Sequence, residues 1–152
     1  MKIWIGVRWV HFYSSDVFVD FWGPLINDFE ATVRKDPREV TRRIHAGIPD
    51  QIRGLCWQLM AQSKDPELEI MYEMLKDRPS PHEKIIQADL PRTFPRHEYF
   101  REKQGPGQIA LGNVARAYSI YDGDVGYCQG IAFVVGALLL NVSGISSRII
   151  LF

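Results

Sequence analysis

The sequence predicts an all-α protein, an irregular multi-helix array that is not a coiled coil, and three observations support this class. Helix-capping signals recur, because an aspartate or serine is followed at once by proline at Asp36, Asp65 and Ser80. Between these signals, apolar residues repeat with the i, i+3, i+4, i+7 spacing of a helix that buries one face. The alternating apolar pattern of a strand is confined to residues 2–10.

The first half of the chain is expected to hold three helices. Residues 17–34 form the first, which is interrupted at Gly23-Pro24, and the second begins after the Asp36 cap. The third is expected to begin at an Asp50 cap and to bury one apolar stripe. That stripe consists of Ile52, Leu55, Cys56, Leu59 and Met60.

The second half continues with helices that prolines and glycines separate. One follows Asp65, a short one follows a capping box at Ser80, and a longer one covers residues 107–121. Residues 90–106 are expected to be mostly non-helical, and residues 128–140 form a helix that is apolar on every side and therefore surrounded. The inward positions are expected to be Leu68, Met71, Tyr72, Leu75, Ala110, Val114, Ala117, Tyr118 and Tyr121.

Length and charge narrow the possible functions. The 152 residues suit one domain with a substantial core, and the 18 basic residues balance the 18 acidic ones. Because nucleic acids are bound through a net basic surface, no nucleic-acid partner is expected. No apolar stretch is long enough to span a bilayer, so no transmembrane segment is expected either. We divide the chain into an aromatic-rich segment with a lead-in helix (1–35), a central domain (36–140) and an atypical tail (141–152).

The sequence contains no recognisable catalytic or metal-binding site of its own. Cys56 and Cys128 are expected to be small core residues in a reducing compartment, and the four histidines share no ligand spacing, so no metal is predicted. The glycine-rich phosphate loop G-x-x-x-x-G-K-[ST] is absent. If the chain acts on a nucleotide, another protein must therefore hold that nucleotide.

Two short peptides carry the strongest functional signal. Residues 86–95 read IQADLPRTFP and place Arg92 between two prolines, which fix the backbone on both sides. Residues 126–130 read GYCQG and place Gln129 at the expected start of the apolar helix, where the helix dipole favours anions. Taken alone, Arg92 can be a surface arginine paired with Asp89, and Gln129 a polar residue that begins a helix. The complete strings are far more specific than either residue.

These peptides resemble the two finger motifs of the TBC domain of Rab GTPase-activating proteins. A third segment, from Arg53 to Trp57, resembles the R-G-x-x-W motif that opens this domain. The resemblance covers about residues 44–140 and implies that the chain forms the first lobe of a TBC domain. Pro91 departs from the family pattern, which usually has another residue type before the arginine.

The resemblance also assigns roles to the motif residues. It implies that Arg92 is an arginine finger and Gln129 a glutamine finger, which act on a nucleotide held by another protein. Asp89 and Tyr127 would support the fingers, and Asp89 could hold the guanidinium ready until the partner binds. The further residues expected to support the site or contact the GTPase are Thr93, Cys128, Gly130, Arg53 and Trp57.

The partner implied by the resemblance is a Rab-family small GTPase in its GTP form. That GTPase would hold the GTP and the Mg²⁺, so the chain needs no cofactor and acts as a regulator of another protein's active site. The protein is expected to be cytoplasmic and to reach endomembranes only through its partner. The alternative is a non-catalytic helical module that binds a GTPase or a scaffold without accelerating hydrolysis.

In the family, the domain continues after the glutamine motif into a second lobe. The segment after Leu140 is not similar to that continuation, so residues 36–140 are expected to form a partial TBC domain. Without the second lobe, apolar surface on the 128–140 helix should be exposed. The isolated chain is therefore expected to be marginally stable and weakly active.

Overall fold

The chain forms two compact units that divide between Ile48 and Pro49. The computed structural model describes most of the sequence, namely residues 2–5, 8–11 and 18–142. The first unit opens with an antiparallel hairpin of β1 (Lys2–Ile5) and β2 (Arg8–His11). This hairpin coincides with the segment whose apolar residues alternate in the sequence.

The rest of the first unit is helical. A π-helical turn at Phe18–Trp22 leads into α1, and Asp28 ends α1 and accepts a hydrogen bond from the Ala31 N–H at 2.9 Å. The sequence predicted an interruption at Gly23-Pro24 only, and this later break arises because Asp28 leaves helical geometry to cap the next helix. The helices of this unit are α1 (Gly23–Asn27), α2 (Phe29–Lys35) and α3 (Pro37–Ala46).

The second unit is an array of helices around α8, which contacts α5, α6, α7 and α9. Outside the N-terminal hairpin, the described chain consists of helices and connecting segments, so the predicted all-α class is confirmed. The elements are α4 (Asp50–Ala61), α5 (Pro66–Leu75), α6 (Glu83–Asp89), a 3-10 turn (Leu90–Arg92), α7 (Glu98–Arg101), α8 (Pro106–Tyr121) and α9 (Ile131–Asn141).

The core of this unit gathers side chains from five helices and from the segments between them. Its fully buried members include Ile86 of α6, Phe100 of α7 and Val135 of α9, which pack against the inward face of α8. That face consists of Leu111, Val114, Ala115 and Ala117. Burial of this apolar surface is the main force that holds the array together.

Three of the residues predicted to face inward are exposed instead. Met60, Met71 and Tyr121 lie on helices whose other stripe residues are buried or partly buried. The predicted apolar stripe on each helix therefore included residues that no neighbouring helix of the described chain covers. Helical spacing defines which residues share a face, but the neighbouring helix determines how much of that face is covered.

Two of the predicted caps differ from the observed ones. Asp50 is the first residue of α4 and pairs with Arg53, while Pro49 occupies the cap position without a side-chain cap bond. Ser80 accepts a hydrogen bond from the His82 N–H at 3.0 Å and does not complete a capping box with Glu83. Asp50 of α4 and Glu83 of α6 each lie in the first turn of their helix, where the helix dipole favours an acidic side chain without a cap bond.

Helix α9 begins at Ile131, three residues after the predicted start. Its inner face is buried, but Phe133, Val134 and Leu140 are 47%, 52% and 39% exposed. The prediction that this helix is surrounded is therefore wrong, while the expected exposure of apolar surface on it is confirmed. Within the described ranges, no helix combines the length and the hydropathy needed to cross a membrane.

Candidate functional site

The segment that carries Arg92 leaves α6 through a tight turn. Helix α6 ends at Asp89, and the chain continues as the 3-10 turn Leu90–Arg92 before Thr93 becomes extended. Pro91 lacks an N–H group and cannot continue α-helical hydrogen bonding, which explains the change of geometry. The Arg92 side chain is 65% exposed, so it projects from the surface at the point where the helix ends.

The Asp89 carboxylate joins the two predicted functional peptides. This side chain is buried, and it accepts Arg92 Nη2 on Oδ1 and the Tyr127 hydroxyl on Oδ2, the latter at 2.9 Å. Arg92 Nε also donates to the carbonyl oxygen of Ala88 at 3.1 Å. The guanidinium is therefore held by two acceptors of the last helical turn, and the same carboxylate binds the segment that precedes Gln129.

Thr93 and Tyr127 complete this hydrogen-bonded unit. Thr93 Oγ1 donates to the carbonyl oxygen of Asp89 at 2.9 Å, and the Thr93 side chain is almost fully buried. Burial, and then the bond to Asp89, raises the pKa of the Tyr127 hydroxyl well above its ordinary value. The hydroxyl therefore stays protonated at physiological pH and donates a hydrogen bond to the carboxylate.

Gly126 allows the second peptide to reach this position. Its φ is +60°, and a Cβ at this residue would lie 2.5 Å from His82 Nε2. The left-handed backbone favours glycine here, and any larger residue would also have to displace the His82 imidazole. The turn directs Tyr127 inward to Asp89, and the two residues that follow it are exposed.

Gln129 and Cys128 are both exposed, in the turn before α9. Gly130 caps the helix with a φ of +111°, a conformation that favours glycine. Gln129 therefore lies just outside the helix start and faces solvent. The prediction that Cys128 belongs to the core is wrong, because the later start of α9 places this residue in the turn and not on a helix face.

The other cysteine behaves as predicted. Cys56 is buried in α4, and burial raises the pKa of its thiol to about 11. The thiol is therefore neutral at physiological pH, as expected of a small core residue.

Arg53 and Trp57 lie on α4, and Arg53 contacts the end of α9 that is opposite Gln129. Arg53 pairs with Asp50 and donates from Nη1 to Asn141 Oδ1 at 3.3 Å, at the C-terminal end of α9. Gly130 is at the other end of that helix, about 15 Å away along its axis. Arg53 therefore connects α4 to α9, and Trp57 is half-buried beside it on the same helix.

Phe94 anchors the Arg92 segment to α9, and the sequence analysis did not identify it. Its φ is +47°, and its ring packs against Phe100 and Phe133 at centroid distances of 5.9 and 5.4 Å. A Cβ at Gly136 would lie 2.7 Å from the ring, so the glycine gives the ring its place on α9. The aromatic residue between Thr93 and Pro95 was visible, but nothing local indicates its left-handed backbone.

The structure therefore brings four predicted site residues into one hydrogen-bonded unit: Arg92, Asp89, Thr93 and Tyr127. Gln129 is exposed and follows Tyr127 by two residues, so the chain itself links it to this hydrogen-bonded group. A cation, Arg92, and a hydrogen-bonding amide, Gln129, are thus both exposed at the surface. The sequence has no phosphate-loop motif that would bind a nucleotide.

Comparison with known families agrees with the motifs. The family model described as the Rab-GTPase-TBC domain matches residues 50–147, which is well over half of the chain. The chain therefore belongs to the Rab-GTPase-TBC domain family. The predicted domain boundaries at residues 36 and 140 stay a prediction.

Individual relatives share a large part of this chain. Ecotropic viral integration site 5 protein homolog of Homo sapiens is 41% identical over 121 residues, which are 80% of this chain and 15% of that protein. Rab GTPase-activating protein tbc-11 of Caenorhabditis elegans is 36% identical over 82% of this chain and 14% of its own length. GTPase-activating protein GYP5 of Saccharomyces cerevisiae is 40% identical over 80% of this chain and 13% of its own length. The chain thus spans a small fraction of these curated relatives.

Proposed function

We propose that this chain is a GTPase-activating protein for a Rab-family GTPase in its GTP form. The observation that carries the proposal is the shared Asp89 carboxylate, which binds both the Arg92 guanidinium and the tyrosine that precedes Gln129. Two matched relatives bear the names Rab GTPase-activating protein and GTPase-activating protein, which supports the same activity here. The GTPase would supply the GTP, the Mg²⁺ and the membrane location.

Arg92 is suited to stabilise the transition state of phosphoryl transfer. The charge of the transferred phosphoryl group spreads over its equatorial oxygens, and a guanidinium offers those oxygens a rigid fork of N–H donors. In the free chain this fork is bound to Asp89 and to Ala88 O, which limits its mobility before the partner arrives. Limited mobility reduces the entropy lost when the guanidinium engages the phosphate.

Gln129 is suited to orient the attacking water. An amide both donates and accepts hydrogen bonds, so one side chain can accept from the water and donate to the phosphate. Its exposed position before α9 leaves the amide accessible to a docked protein. Since Gln129 lies two residues from Tyr127, the Asp89–Tyr127 bond positions the glutamine peptide relative to the Arg92 turn.

The test is the rate of GTP hydrolysis by a panel of GTP-loaded Rab proteins, with and without the chain. Arg92→Lys keeps the charge but removes the bidentate fork, so the stimulated rate should fall by roughly 10³-fold or more. Gln129→Ala should lower it by roughly 10²–10³-fold, as expected for a preorganised hydrogen-bonding group at a site of developing charge.

Matched controls separate these roles from general effects on the surface. Arg78→Lys and Gln51→Ala make the same chemical changes at exposed positions elsewhere on the second unit and should leave the stimulated rate unchanged. Full stimulation by either finger variant would contradict the assigned role. Binding of a GTP-loaded Rab without any acceleration would identify the alternative, a non-catalytic binding module.

A further inference from the structure

A cavity of about 470 Å³ adjoins the turn that carries Arg92. Leu90 and Pro91 of that turn form one wall, and Ile109 and Gly112 of α8 form another. The cavity lies within the roughly 300–1,000 Å³ range of sites that receive ligand-sized groups. None of the residues assigned above to the fingers lines it, so it is a separate feature beside the Arg92 turn.

Asn113 and Lys103 supply hydrogen-bond donors to the cavity, while the Gln87 amide donates to Glu83 and keeps its oxygen as an acceptor. Asn113 Oδ1 accepts from Arg116 Nη1 at 3.1 Å, which leaves the Asn113 amide N–H₂ group to donate. Lys103 lines the cavity, its side chain is exposed, and it has no ion-pair partner in the described part of the chain. The described lining residues include no aspartate or glutamate. The cavity therefore complements an apolar group that carries or adjoins a negative charge.

Two other polar lining residues are already committed within the protein. Gln108 accepts from the Gln104 N–H and donates to the Phe100 carbonyl, while Arg116 binds Glu83 and the Lys76 carbonyl. These side chains give the cavity rigid walls and leave the Lys103 ammonium as its available charge. Rigid walls reduce the entropic cost of binding.

We propose that this cavity receives an apolar side chain that lies next to a carboxylate on the surface of the bound GTPase. The inference rests on the proposed function, because Pro91 precedes Arg92 directly and their Cα atoms are about 3.8 Å apart. A GTPase that engages Arg92 and buries roughly 800 Å² of this chain would extend over neighbouring surface of this kind. The cavity would then help to select which GTPase binds, through its apolar wall and through Lys103.

The test measures the dissociation constant of a GTPase loaded with a non-hydrolysable GTP analogue, beside the hydrolysis rate with GTP. Lys103→Glu should raise the dissociation constant by about 10-fold at low salt, and by less at high salt because exposed charges are screened. Ile109→Ala should raise it by about 5-fold, since truncation removes an apolar contact at the interface. Both variants should raise the KM of stimulated GTP hydrolysis. Neither should change the kcat that is reached when the chain saturates the GTPase.

Two matched controls make the same changes outside the cavity. Lys64→Glu reverses the charge of another exposed lysine, and Ile70→Ala truncates an isoleucine that is 63% exposed on α5. Neither should change the dissociation constant. If the cavity variants bind the GTPase like the wild type, the inference is overturned, as it would be for a cavity that serves a small molecule. If the wild type binds with the expected variant effects but does not accelerate hydrolysis, the proposed acceleration fails, while the binding of a GTPase at this cavity is still supported.

Discussion

Asp89 is the residue at which the two candidate functional peptides meet. Its buried carboxylate accepts one hydrogen bond from Arg92 and one from Tyr127, which lies 38 positions away along the chain. A buried charge of this kind is tolerated only when its lone pairs are satisfied. The two donors therefore stabilise the carboxylate, and the carboxylate in turn holds both donors in place.

Tyr127→Phe tests this coupling because it removes the hydroxyl and keeps the buried ring. The change should lower the free energy of unfolding by about 1.5–3 kcal/mol, the usual range for a hydrogen bond to a charged group. The stimulated hydrolysis rate should also fall, since Asp89 and the glutamine peptide would no longer be joined. Urea unfolding and the hydrolysis assay measure the two effects.

Tyr99→Phe is the matched control, since that tyrosine is 39% exposed on α7. It should change the free energy of unfolding by less than about 0.5 kcal/mol, as is usual for a surface substitution. Equal effects of the two variants would show that the Tyr127 hydroxyl does not stabilise Asp89.

Helix α9 is the element that relates the other parts of the second unit to the site. Its N-terminal cap follows Gln129, and its middle packs against the Phe94 ring at Gly136. Its C-terminal end meets α4 where a Cβ at Gly54 would clash with the backbone oxygen of Asn141. Close approach at these two glycines sets the position of the helix and therefore the position of the glutamine turn.

Gly54→Ala should force α4 and α9 apart. A rigid backbone oxygen cannot yield as a flexible side chain can, so the free energy of unfolding should fall by about 1–3 kcal/mol, as in other overpacked interiors. Thermal or urea unfolding of the purified variant measures this loss.

Gly123→Ala provides the comparison, because a Cβ at that residue would have no heavy atom within 4 Å apart from its chain neighbours. This variant should be as stable as the wild type. A Gly54→Ala protein with the same midpoint as Gly123→Ala would contradict the close contact between the two helices.

At the scale of the whole second unit, one side chain, Arg116, connects three helices. Arg116 of α8 donates to both carboxylate oxygens of Glu83 at 2.8 Å and to the Lys76 carbonyl at the end of α5. The hydrogen bonds from Arg116 hold the pKa of Glu83 below its ordinary value of 4.5. Glu83 begins α6, so this ion pair fixes the start of the helix that ends at the Arg92 turn.

The lowered pKa predicts how stability changes with pH. The unfolded chain binds the Glu83 proton more readily than the folded chain, so the contribution is complete above about pH 4.5 and is lost as the pH falls below it. Between about pH 6 and about pH 3, the wild type should therefore lose more stability than Glu83→Gln, as measured by urea midpoints.

Glu98→Gln serves as the control for this comparison, since its carboxylate is exposed on α7. It should retain the pH dependence of the wild type. Carboxylates elsewhere, such as Glu39 with its pKa of about 2, contribute equally to all three proteins and cancel. Parallel pH profiles for Glu83→Gln and the wild type would overturn the assignment.

Local signals were enough to predict most helices and to single out the two candidate peptides. The Asp36 and Asp65 caps act on N–H groups two or three residues away, and each is found as predicted. The IQADLPRTFP and GYCQG strings could likewise be read directly, because their prolines and glycines constrain only the neighbouring backbone. Interactions of such short range are present in the order of the residues themselves.

Contacts between residues far apart along the chain settled the rest. Only folding could show that Tyr127 reaches Asp89, that Cys128 faces solvent, and that Phe133 remains uncovered while Val135 is buried. Helical spacing defines which side chains share a face, but burial depends on whether another helix arrives at that face, and on where. For this protein, the sequence determines which residue types are present at the candidate site. Only the packing of the helices brings Arg92 and Tyr127 together at the Asp89 carboxylate.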